Sequence, residues 1–257
     1  NLSKQKKIKY DDYDILNKKN FALINICVNT DYHHNCLNFL RSSKNSIIVE
    51  KPLISINIFK NSYKEYLNKL YTKHKKLIVC YPMIYLGKSF LKKFKFKKKI
   101  NKIEIFYYTN GKHQYFDIGN DLLPHGLSLV SQLIKRDINT KNIKISKLKV
   151  SKSSWKGSMI LKNLKCEFNF AQKKSINKSK FFFKINNKIV DRKTKIVNGK
   201  FLNFLKYNDK IVEIANPMNE FLDNSIKNKD NFNWINKNKF LTQKFLKINY
   251  LFYKNFF

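Results

Sequence analysis

The chain has 257 residues, 43% hydrophobic and 15% aromatic, with a formal net charge of +36. That apolar content excludes a disordered chain, and the length allows one large domain or two modest ones around a real core. Of the 53 basic residues only Arg41, Arg136 and Arg192 are arginine, which argues against a protein that reads nucleic acid through bidentate guanidinium groups.

The other 50 basic residues are lysines, spread along the chain among abundant Asn and Ile. This is the bias of an AT-rich coding sequence, and it reads as solvated charge rather than a nucleic-acid footprint. The excess still favours an anionic substrate such as a sugar nucleotide.

In chain order, Asp11-Asp12 opens a short predicted helix to about Lys19, with Asp12 as N-cap. Residues 21–28 (FALINICV) form a continuous apolar run, as in a strand buried on both faces. Helix follows over about Asp31–Arg41, with Leu37 and Leu40 inward, then a second buried strand at Ser46–Val49. A longer helix is expected over about Ile56–Lys73, and Leu77–Cys80 makes a third apolar strand. Alternation of this kind predicts βαβ units and a parallel sheet.

After about Lys99 the pattern changes. Lys102–Thr109 alternates as a half-buried strand, Gly111–Asn120 reads as a polar loop, and Asp121–Leu133 as a helix. Asn142–Val150, Gly157–Phe170, Lys180–Ile185 and Lys188–Val197 alternate with period two and point to an antiparallel sheet. Two helices are expected near Pro217–Asn228 and Lys237–Tyr253. The fold class is α/β: a Rossmann-type parallel domain over 1–98, then an α+β domain with an open, mostly antiparallel sheet over 99–257.

Cys27, Cys36, Cys80 and Cys166 show neither a CxxC pair nor metal-ligand spacing, and no metal site is expected. Reduced cysteines, no signal peptide and no membrane-length apolar run suggest a cytoplasmic protein. The apolar tail Phe245–Phe257, interrupted by Lys247 and Lys254, reads as a docked helix.

Two constellations carry chemistry. Glu50-Lys51-Pro52 follows the second strand, and a parallel sheet binds ligands beyond the carboxyl ends of its strands. Pro52 biases Lys51 toward extended backbone, so its ammonium is able to project into the crevice. The plain alternative is one more solvated lysine. Asp121-Leu122-Leu123-Pro124-His125 places a carboxylate and an imidazole one helical turn apart on one face, with Pro124 tolerated in the first turn. The plain alternatives are an N-cap aspartate and a hydrogen-bonded core histidine.

Together these pieces resemble the glucose–fructose oxidoreductase / inositol dehydrogenase / MocA (Gfo/Idh/MocA) family. Residues 21–53 are similar to that family's strand, turn, histidine-bearing helix and EKP segment in order. Asp121-x-x-x-His125 resembles its Asp/His catalytic segment, in the form D-x-x-P-H, and Asn216-Pro217-Met218 before a helix resembles its C-terminal region. The resemblance implies a nicotinamide cofactor, NAD or NADP, and a sugar, cyclitol or sugar-nucleotide substrate. It implies that Lys51 bonds the reacting hydroxyl, that His125 takes its proton and that Asp121 orients substrate or His125. Asn29, Thr30 and His34 match the turn lining the cofactor, together with Glu50, Lys51 and Pro52, with His33 and His34 one residue apart as candidates. Tyr81-Pro82-Met83-Ile84-Tyr85 stands where the family often has Arg-Phe, which makes Tyr81, Tyr85 or Lys88 substitute substrate contacts beside Lys51 and His125.

No G-x-G-x-x-G occurs in the sequence. In the family that loop precedes the strand matching residues 21–28, so the chain is expected to be a fragment, inactive alone, of a longer protein. The family also implies a homo-oligomer formed through the C-terminal sheet. The alternative is a catalytically silent binding or scaffold protein of the same fold.

Overall fold

The computed structural model describes residues 13–18, 21, 23–55, 63–135 and 138–256. Its contacts divide the chain into two compact units, residues 1–80 with 225–239 and residues 81–224 with 240–257.

The first unit is built on a three-stranded parallel sheet, β1 (Ile24–Ile26), β2 (Ile47–Val49) and β3 (Leu77–Val79), in the order β1-β2-β3. Helices α1 (Tyr13–Lys18), α2 (Thr30–Phe39) and α3 (Tyr63–Lys73) alternate with the strands. β2 and β3 are buried at every position, as continuous Ile/Leu/Val runs require when both faces are covered. β1 differs from expectation: it is three residues long, Asn25 faces out, and Val28 is exposed. The expected N-cap Asp12 and the start of the predicted helix at Ile56 lie outside the described residues. Leu37 and Leu40 are buried as the spacing predicts.

The open edge of β3 is closed by a side chain. Asn238 accepts from the Val79 N–H at 2.8 Å and donates to the Val79 carbonyl at 2.9 Å. One amide thus reproduces both bonds of a neighbouring strand and removes an edge open to pairing.

The second unit is an eight-stranded sheet, β4 (Lys102–Thr109), β5 (Ile143–Ser151), β6 (Ser154–Leu161), β7 (Leu164–Gln172), β8 (Lys180–Ile185), β9 (Lys188–Val197), β10 (Lys200–Tyr207) and β11 (Lys210–Ile214). The order is β11-β10-β9-β8-β4-β7-β6-β5, and every pair is antiparallel except β4 with β7. Positive φ at both Asn186-Asn187 and Asn198-Gly199 marks hairpin turns whose twist suits the strands they join. The run expected as one strand over 157–170 is two, folded back at Lys162, whose φ is 55°. β10 and β11 complete the sheet beyond the strands expected from the sequence.

Helices α4 (Met83–Lys93), α5 (Phe116–Leu133), α6 (Pro217–Lys227) and α7 (Phe232–Lys254) complete the described structure. α5 starts earlier than expected, at Phe116, within the stretch read as a polar loop. Pro124 therefore sits two turns inside α5, not in the first turn, and because it has no N–H it offers the Asn120 carbonyl no helical donor.

α5 approaches the sheet through glycine. A Cβ on Gly119 would lie 2.4 Å from Trp155 Nε1, and one on Gly126 would lie 2.7 Å from Phe168 Cδ1. Trp155 is also pressed from the sheet side, where a Cβ on Gly157 would meet its ring at 2.4 Å. The indole is fully buried, stacked on Phe170 and edge-on to Phe252. Substituting Gly119→Ala should destabilise the protein by about 1–3 kcal/mol, because overpacking forces ring and helix apart. A denaturant titration reads this, and a midpoint equal to wild type would show that the contact yields freely.

Candidate active site

In the first unit, parallel neighbours bring three strand tips together. After β1 come Cys27, Val28, Asn29 and then Thr30 at the start of α2; after β2 come Glu50, Lys51 and Pro52; after β3 comes Cys80. The Glu50 N–H still donates to the Ile26 carbonyl at 3.2 Å, and beyond it Lys51 leaves the ladder half-buried. The Lys51–Pro52 peptide is cis. Asn29 stands exposed at the N-cap of α2 without using its side chain for the cap.

His33 joins two of these tips. It is 1% exposed, with Nδ1 3.0 Å from the Pro52 carbonyl oxygen and Nε2 3.1 Å from the Val28 carbonyl oxygen. It therefore spans from the turn after β1 to the EKP segment after β2. A neutral imidazole has one N–H and donates to only one of the two oxygens. His34 points elsewhere: it is exposed, 3.1 Å from the Tyr66 hydroxyl and within hydrogen-bond range of Asn38. Burial raises the thiol pKa of both Cys27 and Cys80, and the Glu50 carboxylate adds to it. Both thiols stay protonated.

In the second unit, α5 is almost wholly buried. From Phe116 to Val130 only Asp117, Asp121 and His125 escape full burial. Their spacing of four places them on one stripe, so the helix opens along a line of two carboxyls and an imidazole. Gln172, 4% exposed at the end of β7, donates from Nε2 to Asp121 Oδ2 at 2.6 Å. Its Oε1 accepts from the His113 N–H at 3.2 Å. Gly111 gives it room, since a Cβ there would lie 2.4 Å from Oε1. Tyr107 of β4 lies edge-on to His125, ring centroids 5.5 Å apart. Burial raises the Tyr107 pKa, and Asp121 raises it further.

Tyr81 and Tyr85 belong to this unit as well. Tyr81 is 3% exposed and edge-on to Phe245; Tyr85 is 7% exposed and edge-on to Phe221. Burial of both rings favours packing over substrate contact. Lys88 Nζ stands 4.4 Å over the Tyr85 ring. Gln172, Tyr107 and Asp117 were not singled out in the sequence.

A concavity of about 290 Å³, lined by Ser43, Lys44, His74 and Lys76 among others, adjoins the amino ends of β2 and β3. It lies at the opposite end of these strands from Lys51 and plays no part in the site. Among the described residues no group of three or more His, Cys, Asp or Glu is placed to hold a metal ion, and no helix is long and apolar enough to cross a membrane.

No family model and no curated protein matches the sequence. Solved structures do match. The 3-ketoreductase KijD10 from Actinomadura kijaniata, solved with TDP-benzene and NADP, aligns over 90% of this chain and 78% of its own at TM-score 0.60 and 8% identity. A Gfo/Idh/MocA family oxidoreductase from Vibrio cholerae aligns over 93% and 78% at TM-score 0.56 and 13% identity. The chain has the Gfo/Idh/MocA fold. UDP-N-acetylglucosamine 3-dehydrogenase GnnA from Acidithiobacillus ferrooxidans shares this Gfo/Idh/MocA architecture over 93% of this chain and 79% of its own, at TM-score 0.59 and 12% identity.

The pKa values of buried His33 and His74 are lowered, in each case mainly by burial. Both bind protons less readily folded than unfolded. Their contribution is complete above the ordinary value of 6.5 and is lost as pH falls through it toward the lower folded values. Denaturant titrations should show an unfolding free energy that falls between pH 8 and pH 5, by no more than about 1.4 kcal/mol per pH unit per histidine. The double variant His33→Gln/His74→Gln should flatten that slope; an unchanged slope would assign it to other groups.

Proposed function

We propose that the protein is an oxidoreductase that transfers hydride between NAD or NADP and a hydroxyl-bearing carbon of a sugar, cyclitol or sugar nucleotide. One observation carries the reading: the open stripe Asp117–Asp121–His125 on an otherwise buried helix, clamped by Gln172 and floored by Tyr107. The EKP tripeptide at a parallel strand tip, tied by His33, supports it from the other unit. The fold shared with KijD10 and GnnA gives the reading its reaction class.

A bound nicotinamide supplies the hydride acceptor or donor. The residues that would line it are Asn29 and Thr30 at the α2 N-terminus, with Glu50, Lys51 and Pro52 beside them. The Asn29 side chain, which does not cap the helix, and the N–H groups of Thr30 and Asp31 ahead of the Tyr32 N–H, which donates to the Asn29 carbonyl, suit an anionic ligand. In oxidation, the Lys51 ammonium donates a hydrogen bond to the reacting hydroxyl oxygen and favours the charge that builds there. His125 accepts the hydroxyl proton at an imidazole nitrogen as the C–H electron pair departs. Asp121, held by Gln172, keeps substrate or His125 in register. In reduction the proton path reverses.

The face of the large sheet opposite α5 carries Phe106 stacked on Phe182 at 4.4 Å, with Ile189 and Ile211 exposed. This apolar surface supports a homo-oligomer formed through the C-terminal sheet.

A second reading, a silent binding protein of the same fold, rests on the burial of Tyr81 and Tyr85, which favours packing over substrate contact. Titration of the protein made from its whole coding sequence with NADH and NADPH separates the two. Binding followed by turnover of a sugar alcohol or sugar nucleotide supports the enzyme. In that case Lys51→Ala and His125→Ala should each lower kcat by about 10²–10⁴ while the protein stays folded. Wild-type turnover in both variants would remove the roles given to these residues.

A further inference from the structure

We propose that Arg192 forms an anion subsite beside His125, so that the substrate carries a carboxylate or phosphate on the sugar whose hydroxyl reacts. The inference rests on the active-site reading above and deepens it by naming a substrate class.

The register of the sheet puts Arg192 in the site. Tyr107 pairs with Phe181 on one side and with Phe170 on the other, Phe170 pairs with Trp155, and Arg192 pairs with Leu205. Phe182 pairs with Asp191, so Arg192 is the next residue along β9, beside Phe181. Trp155, Phe170, Tyr107, Phe181, Arg192 and Leu205 thus form one row across the sheet on the face that α5 covers. Every other member is aromatic or aliphatic. Two strand spacings, about 10 Å, separate the backbones of Tyr107 and Arg192, a gap that the length of an arginine side chain reaches across.

What Arg192 touches does not neutralise it. Nη2 donates to the Asn203 side-chain oxygen at 2.9 Å, and Nε is buried without a hydrogen-bond partner. Among the described residues it makes no ion pair, and the neighbouring Asp191 faces the other side of the sheet, toward Lys193 at 3.8 Å. A partly buried cation whose acceptor among the described residues is an amide oxygen carries an uncompensated desolvation cost. Burial lowers its pKa, as expected for a cation lacking a counter-charge. A carboxylate or phosphate on the substrate supplies that charge, and the guanidinium fork matches either in bidentate fashion. The residue type fits the task, since this chain has 50 lysines but places one of its three arginines here.

The subsite and His125 share Tyr107 as a neighbour. Tyr107 separates the two, touching the imidazole with its ring and lying within electrostatic range of the guanidinium. A pyranose bridging this span would place its reacting hydroxyl at His125 and its anionic substituent at Arg192.

The test is binding to the full chain, read by calorimetry without requiring turnover. The probes are D-glucuronate, D-glucose 6-phosphate and D-glucose, each against wild type, Arg192→Met, Arg192→Lys and Lys193→Ala. At least one anionic probe should bind tenfold or more tightly than glucose, and which one does so separates carboxylate from phosphate. Arg192→Met should abolish that preference, Arg192→Lys should retain part of it, and Lys193→Ala on the other face should leave it intact. Without ligand, Arg192→Met should melt at or above the wild-type temperature, because a buried unpaired charge is gone; this shows that the variant is folded. Equal binding of all three probes to wild type, or a preference that survives Arg192→Met, overturns the subsite. Loss of turnover in His125→Ala with the anion preference retained would support both proposals. A retained preference with no turnover in the protein made from its whole coding sequence would sink the enzyme reading and leave the subsite standing.

Discussion

The second unit depends on how closely α5 lies on the sheet. Gly119 and Gly126 are seven residues apart, two turns, and mark where the helix backbone meets Trp155 and Phe168. Trp155 fills the gap between Gly119 above and Gly157 below, so neither element can shift without losing contact with a large buried ring. Asp121 and His125 lie between these two glycines. Their height above the sheet, and the access of Gln172 and Tyr107 to them, follow from that packing. A bulky residue at either glycine would lift the helix and misplace every group on the stripe.

In the first unit the corresponding constraint is polar. His33 connects two loops that leave neighbouring strand tips, and a buried imidazole is rigid enough to fix the distance between them. Asn238 does similar work at the β3 edge, where a side-chain amide takes the place of a missing strand. Such short strands, three residues each, gain little from their own ladders. Side chains that saturate backbone groups therefore carry an unusual share of the order, consistent with each buried polar group needing a partner.

Much of this was legible in the sequence. The apolar runs at 47–49 and 77–79 announced a parallel sheet, and the strand bounds at 102–109, 180–185 and 188–197 were read directly from alternation. The start of α5 was not, because Asp117, Gly119 and Asn120 look like loop residues until one sees that Gly119 is selected for close approach and that Asn120 pairs with Asn249. The hairpin at Lys162 escaped for a related reason: a lysine with positive φ gives no turn signal. Gln172 and Tyr107 carried a usable sign. Each continues the inward phase of its strand, after Phe168 and Phe170 or after Ile103 and Ile105, and a polar group in that phase requires a partner. The choice between His33 and His34 had none, since it depends on which side of α2 faces the strand tips.

Apart from Glu220 Oε2 on α6, the unpaired buried atoms described in the second unit divide in an informative way. Trp155 Nε1 faces the Gly119 backbone, and Asn249 Oδ1 belongs to an amide already bonded to Asn120. Both are side effects of seating α5 tightly, at about 1–3 kcal/mol each, and packing accounts for them. Arg192 Nε has no such origin. β9 would pack as well with leucine or methionine at that place in the row, and the swap would remove a desolvated charge. A group that the fold does not need, facing the same surface as the open stripe of α5, is explained by what binds there.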